Sequence, residues 1–251
     1  MTPIYYLTFT HELERNVGGI VACESALRSA ATLLSQIRAT PSAPRFITKC
    51  VNLFLKQIVG LDITIRGKSN IDKAETAIIV LNHQSSVDMI PMFMMWPENC
   101  VALAKREILY LSGTFGVGAW LCGTIFIDRL NPERARKTME QTAEKIKRKK
   151  LRVVIFPEGT RNHEGSLLPF KKGAFHLAVQ GQVPIIPVVF SSYDNFYNKK
   201  EKRFNEGKVI VEIMEPIPTQ GLSASDVTEL TENTREKMLQ VFDRISAEVK
   251  T

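Results

Sequence analysis

A histidine stands where an apolar run ends. Ala-Ile-Ile-Val-Leu (77–81) has the composition of a buried strand, and Asn-His-Gln-Ser-Ser-Val-Asp (82–88) follows it directly. Chemistry in α/β folds collects in loops at strand ends, because the strand fixes the loop while the loop stays reachable. His83, with Asp88 five residues on, is half of a general-base device. The carboxylate holds one ring nitrogen, fixes the tautomer and stabilises the imidazolium; the other nitrogen is left to take a proton. No serine or cysteine nucleophile is needed if the substrate supplies its own hydroxyl. The spacing alone leaves a second reading open, a capping Asp beside a surface His.

Three further constellations accompany this one. Phe-Pro-Glu-Gly-Thr-Arg (156–161) also follows an apolar run. There Gly159 permits an unusual turn, and Arg161 can fork two hydrogen bonds to a phosphate. Glu158 can orient that arginine or a substrate hydroxyl, with Thr160 between them. Gly-Thr-Ile-Phe-Ile-Asp-Arg (123–129) puts Asp128 and Arg129 after a short apolar stretch, where a surface ion pair would leave the same trace. Val-Pro-Ile-Ile-Pro-Val (183–188) reads as a buried strand with a proline at its start.

The elements that must position these residues alternate. Residues 61–66 and 76–81 read as strands, 87–96 as a helix with Pro91 near its start, and 124–127 as a short strand. If Asp88 or a preceding serine caps that helix, the proline falls in the first turn, where its missing N–H costs little. A long polar helix is expected over 132–150, a strand over 152–156 and a helix over 170–179. Strands over 184–190 and 208–214 and a closing helical segment over 223–249 complete the series. Strands alternating with helices predict an α/β fold, a mostly parallel mixed sheet flanked by helices. Towards the N-terminus, residues 24–38 have a helical apolar side, 40–44 (Thr-Pro-Ser-Ala-Pro) form a linker, and 45–60 read as an amphipathic basic helix.

Composition narrows the partners. The 251 residues carry a net charge of +7, which favours an anionic partner. Basic clusters at 145–152, 171–172 and 199–203 have the form of solvated faces. No zinc finger, helix-turn-helix or aromatic RNA-stacking motif is present, so nucleic acid is not expected. The four cysteines (Cys23, Cys50, Cys100, Cys122) form no Cys-x-x-Cys pair, and the four histidines form no His-Glu-x-x-His. Neither a disulfide frame nor a metal site is expected. No secretory leader is expected in residues 1–50, where charged residues recur. Residues 108–127 hold no charged side chain and match a bilayer span of about 20 residues in length. Their four glycines, and their position between two motifs of one site, predict a buried or membrane-facing segment that does not cross.

Taken in order, the four motifs resemble the glycerophospholipid acyltransferase family, nearest to the 1-acyl-sn-glycerol-3-phosphate acyltransferases of the animal endoplasmic-reticulum type. Ala-Lys-Arg-Glu (104–107), Leu-Pro-Phe-Lys-Lys-Gly-Ala-Phe (168–175), Ser-Ser-Tyr (191–193) and Phe-Tyr (196–197) extend the resemblance over roughly residues 60–245. It implies acyl transfer from acyl-CoA, a co-substrate, to the sn-2 hydroxyl of lysophosphatidic acid, giving phosphatidic acid, with no further cofactor. Carried over by position, His83 is the base and Asp88 its orienting partner. Glu158, Gly159, Thr160 and Arg161 hold the glycerol-phosphate end with Arg129 and Lys105, and Pro184, Ile186 and Pro187 shape the acyl or acceptor pocket.

The expected organisation is a membrane-associating helical segment (1–60) before an acyltransferase domain (61–251). Animal members of the family carry membrane spans ahead of the His motif, and residues 1–60 show none. The expectation is therefore a membrane-surface enzyme at the endoplasmic reticulum, peripheral or cytosol-accessible, docked through 45–60, 89–96 and 108–127. The alternatives are an acyltransferase for another lysophospholipid, an acyl-CoA hydrolase, and a non-catalytic lipid-binding protein that keeps the fold.

Overall fold

The computed structural model describes residues 60–250, apart from 112, 113, 129, 199 and 202. The expected helices at 24–38 and 45–60 and the linker at 40–44 lie outside the described residues.

Seven strands form one sheet in the order β1-β9-β6-β2-β5-β3-β4. They are β1 (Leu61–Arg66), β2 (Ala77–Leu81), β3 (Cys100–Lys105), β4 (Ile125–Ile127), β5 (Arg152–Ile155), β6 (Ile185–Phe190) and β9 (Gly207–Ile213). Neighbours pair in parallel except β6 and β9, where Val188 faces Ile213. A small hairpin, β7 (Tyr197–Asn198) with β8 (Arg203–Phe204), stands apart. The central strand β2 is Ala-Ile-Ile-Val-Leu, buried throughout. That is what a parallel strand covered on both faces requires.

Alternate residues of these strands feed two cores. Ile78, Val80, Val153, Ile155 and Ile185 point into one, which is covered by α5 (Pro132–Lys149), α6 (Gly173–Gly181) and α7 (Val227–Lys250). Ala143, Ile146, Phe175, Leu177, Met238, Phe242 and Ile245 fill it from the helix side. Ile79, Leu81, Val154, Ile186 and Val188 point the other way, toward Met92 and Met95 of α2 (Met89–Met95), Ile71 of α1 (Ser69–Asp72), and Tyr193 and Phe196. The α5 helix is well terminated. Asn131 caps its N-terminus by accepting the Arg134 N–H at 3.0 Å, Pro132 opens the first turn, and Lys150 closes it in the left-handed region at φ 50°.

Residues 108–127 do not form one span. They are divided among α3 (Arg106–Leu111), α4 (Thr114–Leu121) and β4. Among the described residues no helix is long and apolar enough to cross a membrane. The helix expected over 170–179 starts three residues later, at Gly173, because Lys171 donates its N–H to the Pro157 carbonyl at 2.8 Å instead of to a helical turn.

Candidate active site

Parallel strands β2, β5, β3 and β4 present their C-terminal ends along one edge of the sheet. His83 leaves β2 there, the Phe156–Arg161 loop leaves β5, and Lys105 ends β3 level with Ile127 of β4. Three of the four motifs therefore meet at one edge, the usual place for a site in an open α/β sheet.

His83 is gripped at four points. Its N–H donates to Glu158 Oε1 at 2.7 Å, and its carbonyl accepts the Asn162 N–H at 2.8 Å. Its ring stacks on Phe156 with centroids 4.1 Å apart, and Nδ1 lies 2.6 Å from Asp88 Oδ2. A carboxylate can only accept, so Nδ1 carries the proton and Nε2 presents its lone pair. The side chain keeps 21% of its surface open to solvent, and Nε2 has no partner among the described residues.

Asp88 is fully buried and is held by the backbone of the same turn. Its Oδ2 also accepts the N–H groups of Gln84 (2.8 Å) and Ser85 (3.1 Å). Ser85 Oγ in turn accepts the Val87 N–H at 3.0 Å, completing a reciprocal cap on the single 3₁₀ turn that precedes α2. The two sequence readings of Asp88, cap and orienting carboxylate, are thus both true of one side chain.

Glu158 is turned into the protein. Only 3% exposed, it spends Oε1 on the His83 N–H and Oε2 on the Leu168 N–H at 2.9 Å. Burial pushes its carboxyl above the ordinary 4.5, and the two backbone donors and the nearby His83 work against that push. Gly159 follows at φ +72°, in the left-handed region that the turn demands. Thr160 and Arg161 are exposed, and Arg161 makes no ion pair among the described residues. Lys105 is exposed too. Arg129 lies outside the described residues.

Pro184, Ile186 and Pro187 belong to another level of the sheet. Ile186 pairs with Ile79 and Pro187 with Val80, while the Pro184 carbonyl accepts the Ile78 N–H at the far end of β2. Ile186 is fully buried in the core under α2. The structure therefore does not bring these three to the His83 edge. Asp128 is bridged to Arg106 (3.3 Å) and Arg134 (3.7 Å) on the surface.

Several residues that hold the site have no chemical signature in the sequence. Asn82 clamps β6 with both ends of its amide, donating to the Phe190 carbonyl at 3.0 Å and accepting the Phe190 N–H at 2.8 Å. Gln84 donates to the Ser191 carbonyl at 2.9 Å, and Asn162 ties its own loop through the Ser166 carbonyl. Buried amides need such partners, but those of Asn82 and Gln84 lie about a hundred positions away and only the fold reveals them. Cys100 is no rival nucleophile: burial pushes its thiol up to about 12. Among the described residues no cluster of His, Cys, Asp and Glu could hold a metal ion.

The sequence profile described as Acyltransferase matches residues 62–191. Human 1-acyl-sn-glycerol-3-phosphate acyltransferase alpha is 46% identical over 202 residues, which are 80% of this chain and 71% of that protein. The human beta form is 47% identical over 191 residues, 76% of this chain and 68% of the relative. The crystal structure of the 1-acyl-sn-glycerophosphate acyltransferase from Thermotoga maritima matches with a TM-score of 0.69 at 25% identity, covering 98% of both chains.

Proposed function

Since the chain belongs to the 1-acyl-sn-glycerol-3-phosphate acyltransferase family, it is an acyltransferase, and we propose that it moves a fatty acyl group from acyl-CoA to the sn-2 hydroxyl of lysophosphatidic acid. The observation that carries the mechanism is the unpartnered Nε2 of a histidine whose Nδ1 is tied to a buried carboxylate.

In this reading His83 Nε2 accepts the proton of the sn-2 hydroxyl as its oxygen attacks the thioester carbonyl. An O–C bond forms, the C–S bond breaks, and the imidazolium returns the proton to the departing CoA sulfur. Asp88 stays ionised throughout, stabilising the imidazolium through Nδ1. Two proton transfers suffice, so acyl-CoA enters as a co-substrate and no redox group is required. Arg161, exposed and free of ion pairs among the described residues, can fork onto the acceptor's phosphate, with Lys105 as a second cation on the same edge.

Both substrates carry long chains that reside in or against a bilayer. The helices after β3 and the turn after β4 suit such a neighbour: Tyr110, Val117, Trp120, Leu121 and Leu130 are all more than half exposed. The bilayer docks on this face, with the apolar side chains in the interface and the His83 edge turned to the lipid headgroups. The Trp120→Ser, Leu121→Ser double variant should lose most of its co-flotation with anionic vesicles while keeping the wild-type circular dichroism spectrum. Undiminished flotation would exclude this face.

The reaction itself is tested by supplying lysophosphatidic acid and oleoyl-CoA on vesicles and identifying the lipid product. Phosphatidic acid acylated at sn-2, with one CoA thiol released per product, is expected. Free fatty acid with the same thiol release would make the chain a hydrolase instead.

A further inference from the structure

Asp88 uses one oxygen three times and leaves the other without a donor among the described residues. Oδ2 accepts from His83 Nδ1 and from the Gln84 and Ser85 N–H groups. Oδ1 is equally buried and has no hydrogen bond of normal geometry among the described residues. The Tyr193 hydroxyl is in the same condition, in a residue only 3% exposed. Two unpartnered buried polar atoms each carry a desolvation cost that pairing would remove.

The Tyr193 phenol is close enough to the Asp88 carboxylate to feel its charge. Burial first, then the Asp88 charge and hydrogen bonding to it, hold the Tyr193 phenol well above its ordinary value of 10. The phenol therefore keeps its proton and is available as a donor. Among the described residues no hydrogen bond of normal geometry joins the two atoms, yet each is buried and has no other partner there.

The fold also fixes Tyr193 relative to the base. Asn82 and Gln84, the residues on either side of His83, are clipped to Phe190 and Ser191 at the end of β6. Tyr193 follows two residues later, and its carbonyl accepts the N–H groups of Phe196 (3.0 Å) and Tyr197 (2.7 Å).

We propose that Tyr193 is a positioning residue for acyl transfer: its O–H donates to Asp88 Oδ1, holds Oδ2 on His83 Nδ1, and so sets how firmly Nε2 binds a proton. The inference rests on His83 acting as the base. A donor on Oδ1 draws negative charge away from Oδ2, so the imidazolium is stabilised less than it would be by a bare carboxylate. Removing the O–H makes the ring a stronger proton holder and loosens the carboxylate. The other charged group at His83 is Glu158, on its backbone N–H, and it is unaltered by the change.

The test is Tyr193→Phe in the full chain, with the pH profile of kcat and KM for lysophosphatidic acid and oleoyl-CoA. We expect kcat to fall about tenfold, KM for both substrates to hold, and the acid limb to move to higher pH by a few tenths of a unit. In an Asp88→Asn background the same change should cost little more, since it acts through that carboxylate. An unmoved acid limb, or full additivity with Asp88→Asn, would overturn the proposal and leave Tyr193 a packing residue. If the phenylalanine variant does not fold, fluorotyrosine at 193 serves. A stronger donor of the same shape must move the limb to lower pH, and an unmoved limb overturns the proposal. Wild-type activity in His83→Ala would refute the base itself, a failure distinct from either of these.

Discussion

Two buried carboxylates reach the same histidine and do different work. Asp88 holds the imidazole, and Glu158 holds the main chain. Asp88 comes from the turn that follows β2 and is local, five residues away. Glu158 comes from the loop after β5, 75 positions along the chain. Asp88 thus decides where the ring proton sits, whereas Glu158 decides where the ring is. The same loop that supplies Glu158 to the interior turns at Gly159 and sends Arg161 outward. One loop therefore fixes the base on one side and offers a cation to the acceptor on the other.

The sharpest way to separate the two roles is to neutralise each carboxylate at constant shape. Asp88→Asn can keep an amide oxygen where Oδ2 meets its three donors, but it removes the negative charge that stabilises the imidazolium. The rate should fall on the order of 10³-fold, with KM and the melting temperature little changed. A thermal melt beside a steady-state assay checks both. A loss below tenfold would mean that Asp88 is only a helix cap.

Glu158→Gln should show the opposite balance. A glutamine has one side-chain oxygen for two N–H donors, so either His83 or Leu168 meets an amide NH₂. The expected cost is about 1–3 kcal/mol of stability, read by urea denaturation, and roughly a tenfold loss of rate as His83 shifts. The pH dependence has a defined sign. The folded carboxyl lies above its ordinary 4.5, so the folded state binds the extra proton. The stability contributed by that proton is complete below 4.5 and is lost as pH rises through the raised value. The wild type's advantage over Glu158→Gln should therefore shrink across that window. An advantage that grew with pH would show a carboxylate stabilised by its partners more than it is penalised by burial.

Arg161→Ala gives the smallest effect. It should raise KM for lysophosphatidic acid about tenfold with kcat nearly intact, and leave the melting temperature in place because the side chain is exposed. Arg161→Lys should recover only part of this, since a point charge lacks the planar fork. An unchanged KM would move the phosphate subsite elsewhere along the edge.

The comparison also explains what the sequence could disclose. Asp88 was legible because its partner lies within one turn, and β2, β5, β6, β9 and α5 were legible because their apolar periods are clean. Strand β3 was not expected: Cys-Val-Ala-Leu-Ala-Lys has little β-branching and weak alternation, and only its place between β5 and β4 makes it a strand. The β7–β8 hairpin, two residues a side, is below what a pattern can show. In the sequence Glu158 reads only as a charge in a phosphate-friendly motif. Its actual contacts are backbone N–H groups, which every residue carries and no sequence pattern marks. Tyr193 carries no role in the sequence beyond its place in Ser-Ser-Tyr, because its relation to Asp88 exists only once β6 is placed beside β2.

The central claim is that His83 Nε2 takes the acceptor's proton. The direct test is the rate of phosphatidic acid formation by wild type and His83→Ala on the same vesicles, each first matched in circular dichroism and vesicle binding. We predict a loss of at least 10²-fold for the variant with vesicle binding unchanged. Equal rates would contradict the account and leave the buried dyad a structural feature of the turn.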